Sequence, residues 1–231
     1  HMDEYNVSIT DDEKAAITAA AAQFMEDNSK DAINALGATQ EIVEEYLTLE
    51  TIQSKMKAAI VAGADTNVTD EEAKTGAYSY VGISKTTHQD ESGNTVDYTD
   101  EEKEELAAKV ADFAKAAKED GLDAAAEDAG YTVSTGTFTQ EDDSVDDNLL
   151  AALKNLKEGE VTDLIDGDSS YFVARLDKEV DEDATEETRQ SIIEQRKDDL
   201  YDETLDGWKE GIEWAVKEKV WDDVNFDNRL Q

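Results

Sequence analysis

The segments YTVSTGTFTQ (131–140), LLAALKNLKEGEVTDLI (149–165) and SSYFVARLDK (169–178), the last two joined by Asp166-Gly167, decide the fold. The first is a β-branched strand. The second opens as an amphipathic helix that stops at Gly159 and passes into a short β-branched run, and Asp-Gly is a hairpin signal before an alternating strand ending at Leu176. Upstream, Tyr78, Tyr80, Val81 and Ile83 mark another strand after Gly76, and HQDESGNT (88–95) reads as a polar loop. Thr99-Asp100-Glu101-Glu102 is a capping box opening a helix through Leu106, Val110, Phe113 and Ala117; after Gly121 a second helix carries Leu122, Ala125 and Ala129. The stretch 77–178 therefore reads as one sheet-containing unit.

Its flanks keep a helical period instead. Thr10-Asp11-Asp12-Glu13 is a capping box ahead of Ile17, Ala20, Ala21, Phe24 and Met25, and Ser29 caps a short helix with Ile33 and Leu36 that Gly37 ends. Thr39 starts a longer helix whose apolar face holds Ile42, Val43, Tyr46, Leu47, Leu49, Ile52, Met56, Ala59 and Ile60, and Thr69-Asp70-Glu71-Glu72 caps a short one before Gly76. Beyond the acidic DEDATEE (181–187), a long helix places Ile192, Ile193, Arg196, Leu200, Leu205, Trp208, Ile212, Ala215, Val216 and Val220 on a stripe too wide for a coiled-coil seam. Neither end can bury its apolar faces alone. The economical architecture is α+β: a discontinuous helical domain, 3–76 plus 179–231, with 77–178 inserted between its parts.

Composition narrows the function. The 231 residues include 59 Asp plus Glu against 21 Lys plus Arg, a formal charge of -38. Such a field repels nucleic acid and anionic lipid and attracts cationic or unfolded basic segments, and it equally keeps a solvated surface soluble. There is no cysteine, so disulfides, thiolate metal sites and cysteine nucleophiles are excluded. There is also no proline, where ordinary usage predicts on the order of ten, and folding is expected to lack slow prolyl phases. No apolar run approaches the roughly 20 residues of a membrane helix. His1-Met2 reads as a cloning remnant, and the polar 3–10 segment places any targeting signal upstream of this sequence.

The order of elements, and especially LKEGEVTDLI followed by Asp-Gly and YFVARLD, resembles the closing helix and hairpin of parvulin-type (FKBP-like) peptidyl-prolyl isomerase domains. The flanks ATQEIVEEYLTLETIQSKM, VTDEEAKT and ETRQSIIEQRKDDLYDETLDGW resemble the helical chaperone region of SurA- and PrsA-type extracytoplasmic folding factors. That resemblance implies catalytic positions at Tyr80, Asp128 and Phe172, with tyrosine and phenylalanine standing at the family's two histidine positions. It places substrate-binding positions at Phe138, Val145, Leu149 and Ser169, beside Gly136, and the family's double-glycine loop has become YTVST. It also implies unfolded or exported polypeptide clients, and export as a lipoprotein held through a cysteine upstream. No cofactor and no metal are expected: His88, in its polar loop, has no second ligand at helical spacing, and the acidic runs 141–143 and 181–183 lack an EF-hand pattern. With no usable histidine beside a serine there is no case for a hydrolase.

Taken singly, Tyr80, Phe138, Leu149 and Phe172 are residues that any sheet packs into its core, so only their convergence on one cleft marks a site. Three readings stay open. They are a folding factor with weak or vestigial isomerase activity, a holdase without it, and an acidic surface protein that binds a specific partner or a cationic ligand.

Overall fold

The computed structural model describes residues 1–90, 92–212 and 215–222. The chain divides into two compact units, His1–Thr66 with Ile193–Gln231, and Asn67–Ile192. The fold class is the expected one, a discontinuous helical unit with an α+β unit inserted. The division places the short capped helix after Thr69 and the start of the long helix in the inserted unit.

The helical unit is built from capped helices. In α1 (Asp11–Asp27) Thr10 and Glu13 cap each other reciprocally, and Ile17 and Ala21 are buried. Ser29 caps α2 (Lys30–Leu36), which ends at Gly37 with φ 63°, and Thr39 caps α3 (Gln40–Val61). Lys55 ties α3 to the start of α1, donating to both Glu13 oxygens at 2.8 Å and to the Ser8 carbonyl at 2.6 Å. The apolar face expected of α3 splits. Met56 and Ile60 are buried, but Ile42, Tyr46 and Leu49 stay exposed.

The long helix is α8 (Glu182–Lys209), and its portion from Ile193 belongs to the helical unit. Within that unit Asp198 pairs with Lys57 at 3.2 Å, the Lys57 ammonium lies 5.2 Å from the Tyr201 ring centroid, and Trp208 stacks on His1 at 4.2 Å. The two ends of the chain are thus in side-chain contact. No α8 residue is fully buried, and its half-buried stripe ends at Trp208. The expected continuation fails because the helix stops at Lys209, just before Gly211 with φ 84°, leaving Ile212 and Val216 exposed. A further turn, α9 (Glu218–Trp221), follows, and the side chain of Val220 lies outside the described residues.

The inserted unit opens with α4 (Asp70–Ala73), capped by Thr69. Its strands are β1 (Gly76–Ser84), β2 (Thr87–Gln89), β3 (Thr95–Asp97), β4 (Ser134–Phe138), β5 (Ile165–Asp166) and β6 (Ser170–Lys178), and its remaining helices are α5 (Asp100–Asp120), α6 (Leu122–Ala129) and α7 (Asp147–Leu153). The sheet order β4-β1-β6-β5 is antiparallel throughout. Strand alternation gives it two apolar faces. Val81 and Val173 meet Phe113, Ala117, Leu122 and Ala125 of α5 and α6, while Tyr78, Ala174 and Leu176 meet Leu149, Leu150 and Leu153 of α7.

Three local expectations change. The 88–95 segment is not all loop: β2 and β3 form a hairpin whose turn is closed by Asp90 accepting from the Ser92 and Asn94 amides at 2.8 Å, and Glu91 lies outside the described residues. His88, expected in that polar loop, instead lies on β2, half-buried and stacked on Tyr98 at 4.5 Å. The helix expected to run to Gly159 ends at Leu153, because the chain must turn back to pair with β6, where the Gly159 amide donates to the Leu176 carbonyl at 2.7 Å and the Thr162 amide to that of Ala174 at 2.8 Å.

Candidate functional site

The face of the sheet beneath α7 carries the aromatic residues singled out from the sequence. Pairing of β1 with β6 sets Tyr80 opposite Ala174 and Gly82 opposite Phe172, so these side chains share one surface. The Tyr80 and Phe172 rings lie 6.2 Å apart, tilted at 59°, and the Tyr78 ring is 5.4 Å from Tyr80 and 5.9 Å from Phe138. Leu149 is buried in the same cluster, and Val145, Tyr80 and Phe172 are half-buried against it. Five of the seven singled-out residues, Tyr80, Phe138, Val145, Leu149 and Phe172, therefore converge.

The other two do not join them. Ser169 is exposed in the β5–β6 turn, where its carbonyl accepts the Lys85 amide at 3.0 Å. Asp128 is exposed on α6, which packs Ala125 and Ala126 against the opposite face of the sheet, so its carboxylate points away from the aromatic cluster's face. Strand β4 instead sets Ser134 opposite Tyr80.

Glycines let the rings lie flat on the backbone. A Cβ on Gly136 would stand 2.8 Å from the Tyr78 ring, and one on Gly76 2.5 Å from that of Phe138. At Gly82, which is exposed, a Cβ would meet Phe172 at 3.2 Å and Tyr80 at 3.5 Å, so the two rings take up the space its missing side chain leaves. Gly167, read from the sequence as a turn former, is needed for another reason. A Cβ on it would fall 2.5 Å from Asp146 Oδ2 and 2.6 Å from Phe172 Cε2, and its φ is not positive.

Asp146 is the residue that sequence reasoning missed at this site, although an aspartate just before LLAAL is a helix-cap signal. It accepts the amides of Asn148 at 3.0 Å, Leu149 at 3.2 Å and Asp168 at 2.9 Å. Burial raises its pKa, but these backbone donors and the charge of Lys85 outweigh that and hold it below the usual carboxylate range. Lys85 bonds Asp166 at 2.6 Å and also the Gly167 carbonyl, and the Asp166 bond raises its pKa. Tyr78 is pushed up by burial, then by Tyr80 and Asp142. At the Phe138 end of this face a cavity of about 130 Å³ is lined by Gly76, Phe138, Leu153, Leu156 and Leu176, with Lys74 beside it. Among the described residues no group of three or more His, Asp or Glu side chains could hold a metal ion, and no helix is long and apolar enough to cross a membrane.

An antiparallel four-stranded sheet with paired helices on one face and a short helix over an aromatic floor on the other defines a parvulin-type α+β module, set here into a helical unit. The family model described as the PPIC-type PPIase domain matches residues 85–210, more than half of the chain, and the chain belongs to that peptidyl-prolyl isomerase family. Solved structures are similar at low identity. The peptidyl-prolyl isomerase PrsA of Bacillus cereus is 20% identical with a TM-score of 0.40, covering 94% of this chain and 80% of its own. The foldase PrsA of Streptococcus pneumoniae is 19% identical with a TM-score of 0.33, covering 94% and 82%. A SurA-like chaperone structure from Campylobacter jejuni is 12% identical with a TM-score of 0.32, covering 92% and 80%. A search of curated proteins finds no match.

Proposed function

We propose that the protein is an extracytoplasmic folding factor that binds unfolded or proline-containing segments on the aromatic face beneath α7, with weak or vestigial prolyl isomerase activity. The observation that carries this reading is the convergence of Tyr80, Phe138, Val145, Leu149 and Phe172 in one apolar cluster, of which Tyr80, Val145 and Phe172 are half-buried and Phe138 and Leu149 buried, in a chain of the isomerase family. Rotation about a prolyl bond faces a barrier of about 20 kcal/mol, because amide resonance is lost at the twisted geometry. A dry surface that grips the proline ring lowers that barrier by favouring the twisted, less polar amide, with no covalent step.

By resemblance, Tyr80 and Phe172 stand where the family places histidines. Neither ring can supply an imidazole, so what remains to this surface is shape and desolvation, and we assign it a low turnover. Asp128, exposed on the opposite side of the sheet, is left without a direct catalytic role in this reading. The clients are exported polypeptides and the native protein a lipoprotein outside the membrane, again by resemblance.

The alternative is a holdase without isomerase activity, favoured by the exposed Ile42, Tyr46 and Leu49 on α3 of the helical unit. Exchange spectroscopy on a proline peptide, together with an aggregation assay on a denatured client, separates the two. Acceleration that drops on Leu149→Ala supports the first reading. Suppressed aggregation with no acceleration selects the holdase, and failure of both assays overturns the proposal.

A further inference from the structure

The apolar line along α3 is covered at one end only. Met56 and Ile60 are buried, and Leu49, Tyr46 and Ile42 continue the same helical face toward the start of the helix, yet they are 60%, 59% and 52% exposed. Carboxylates flank this open stretch on both sides. Glu45 lies one turn from both Ile42 and Leu49, Glu41 one turn before Glu45, and Glu50 one turn beyond Tyr46 on the opposite flank. All three are exposed. The only basic residues of α3, Lys55 and Lys57, are held by Glu13 and Asp198, and among the described residues no cation pairs with the three carboxylates.

We infer that this uncovered part of α3 binds short amphipathic segments of unfolded polypeptide that carry lysine or arginine beside their apolar residues. The inference rests on the polypeptide-binding reading above and names the substrate class that this surface selects. Charge and area both argue for that occupant. A second copy of this chain would bring Glu41, Glu45 and Glu50 against a molecule of the same sign, with a formal charge of -38 on each. Three side chains along about 10 Å of helix expose a few hundred Å² at most, well short of the roughly 800 Å² per partner of a stable dimer. A short apolar segment fits that length, and basic residues on its flanks meet carboxylates that no cation of this chain occupies.

The test uses the full chain and three capped peptides of equal length, titrated by NMR at about 150 mM salt, where diffuse surface charge is largely screened. The first carries leucines at helical spacing flanked by lysines, the second has glutamates in place of the lysines, and the third has the first composition in an order without a stripe. The first is expected to bind about ten-fold more tightly than either of the others. Tyr46→Ser with Leu49→Ser should remove that advantage. Glu41→Gln, Glu45→Gln and Glu50→Gln together should weaken the first peptide about ten-fold, whereas Glu101→Gln, Glu104→Gln and Glu105→Gln, which remove the same charge from exposed positions of α5, should leave it within about two-fold. If the serine variant fails to fold, the two glutamine variants decide. Equal binding of the three peptides overturns this inference, and so does equal weakening by the two glutamine variants, which assigns the attraction to the general acidic surface. A chain that suppresses client aggregation yet binds none of the peptides loses this inference alone, and one that does neither loses both readings. A dimer in light scattering that Tyr46→Ser dissociates gives the face to a second copy and overturns the inference too.

Discussion

Asp146 accepts the backbone amide of Asp168 at 2.9 Å, so one carboxylate holds the start of α7 against the β5–β6 turn. Its other oxygen caps α7 through Asn148 and Leu149. The two elements that bring Leu149 and Phe172 together are thereby fastened at a single side chain.

Replacing it should loosen both. Asp146→Ala removes the cap and leaves the Asp168 amide without its partner, for an expected loss of about 1–2 kcal/mol in urea unfolding. Asp146→Asn keeps one acceptor oxygen, so it should restore the helix cap but not the Asp168 bond, recovering only part of the loss. Equal stability of the alanine variant and the parent would show that water replaces the carboxylate at no cost.

Acid should act on the helical unit through Glu13. The hydrogen bond from Lys55, then that from the Thr10 amide, lowers its pKa to about 2. A depressed carboxylate contributes stability above its unfolded pKa and loses it as pH falls through the folded value. The melting-temperature difference between the parent and Glu13→Gln should therefore be full at neutral pH, begin to shrink below the ordinary glutamate range near pH 4.5, and vanish toward pH 2. A difference independent of pH would contradict the Lys55 pairing.

At Gly136 the expected effect is steric. A Cβ 2.8 Å from the Tyr78 ring forces that ring to move, so Gly136→Ala should cost roughly 1–3 kcal/mol. Adding Tyr78→Leu should relieve part of the strain, giving a non-additive double-mutant cycle. Strict additivity would mean that the ring does not rest on this glycine.

Thr162 is buried, and its hydroxyl accepts the amide of fully buried Ala174 at 3.0 Å. Thr162→Val keeps the shape and leaves that donor unpaired, at an expected cost of about 1–3 kcal/mol. Hydrogen exchange at the Ala174 amide should accelerate with it. Unchanged protection would show that another acceptor takes over.

Much of this was legible in local pattern. The capping boxes at Thr10, Thr69 and Thr99 mark helix starts because a hydroxyl and a glutamate three residues on satisfy free amides within a single turn. The alternation through Tyr78, Tyr80 and Phe172 put these rings on one side of their strands, which is why the three share one face of the sheet. Misreadings arose where a distant partner outweighed local preference. The helix after Asp146 ended early because residues 159–162 pair with β6, and His88 left its expected loop to stack on Tyr98.

The sequence by itself determined the α+β class, the insertion of a sheet-containing unit between helical ends, and the parity of the aromatic strand residues, since periodicity, caps and glycine stops act within a few residues. Only the tertiary structure decided that Asp128 stays on the far side of the sheet, that Asp146 borders the aromatic floor, and that Gly167 is required by crowding rather than by turn geometry. Those outcomes depend on which backbone passes within a few ångströms of which ring, and such proximity is created by packing between segments far apart in the chain.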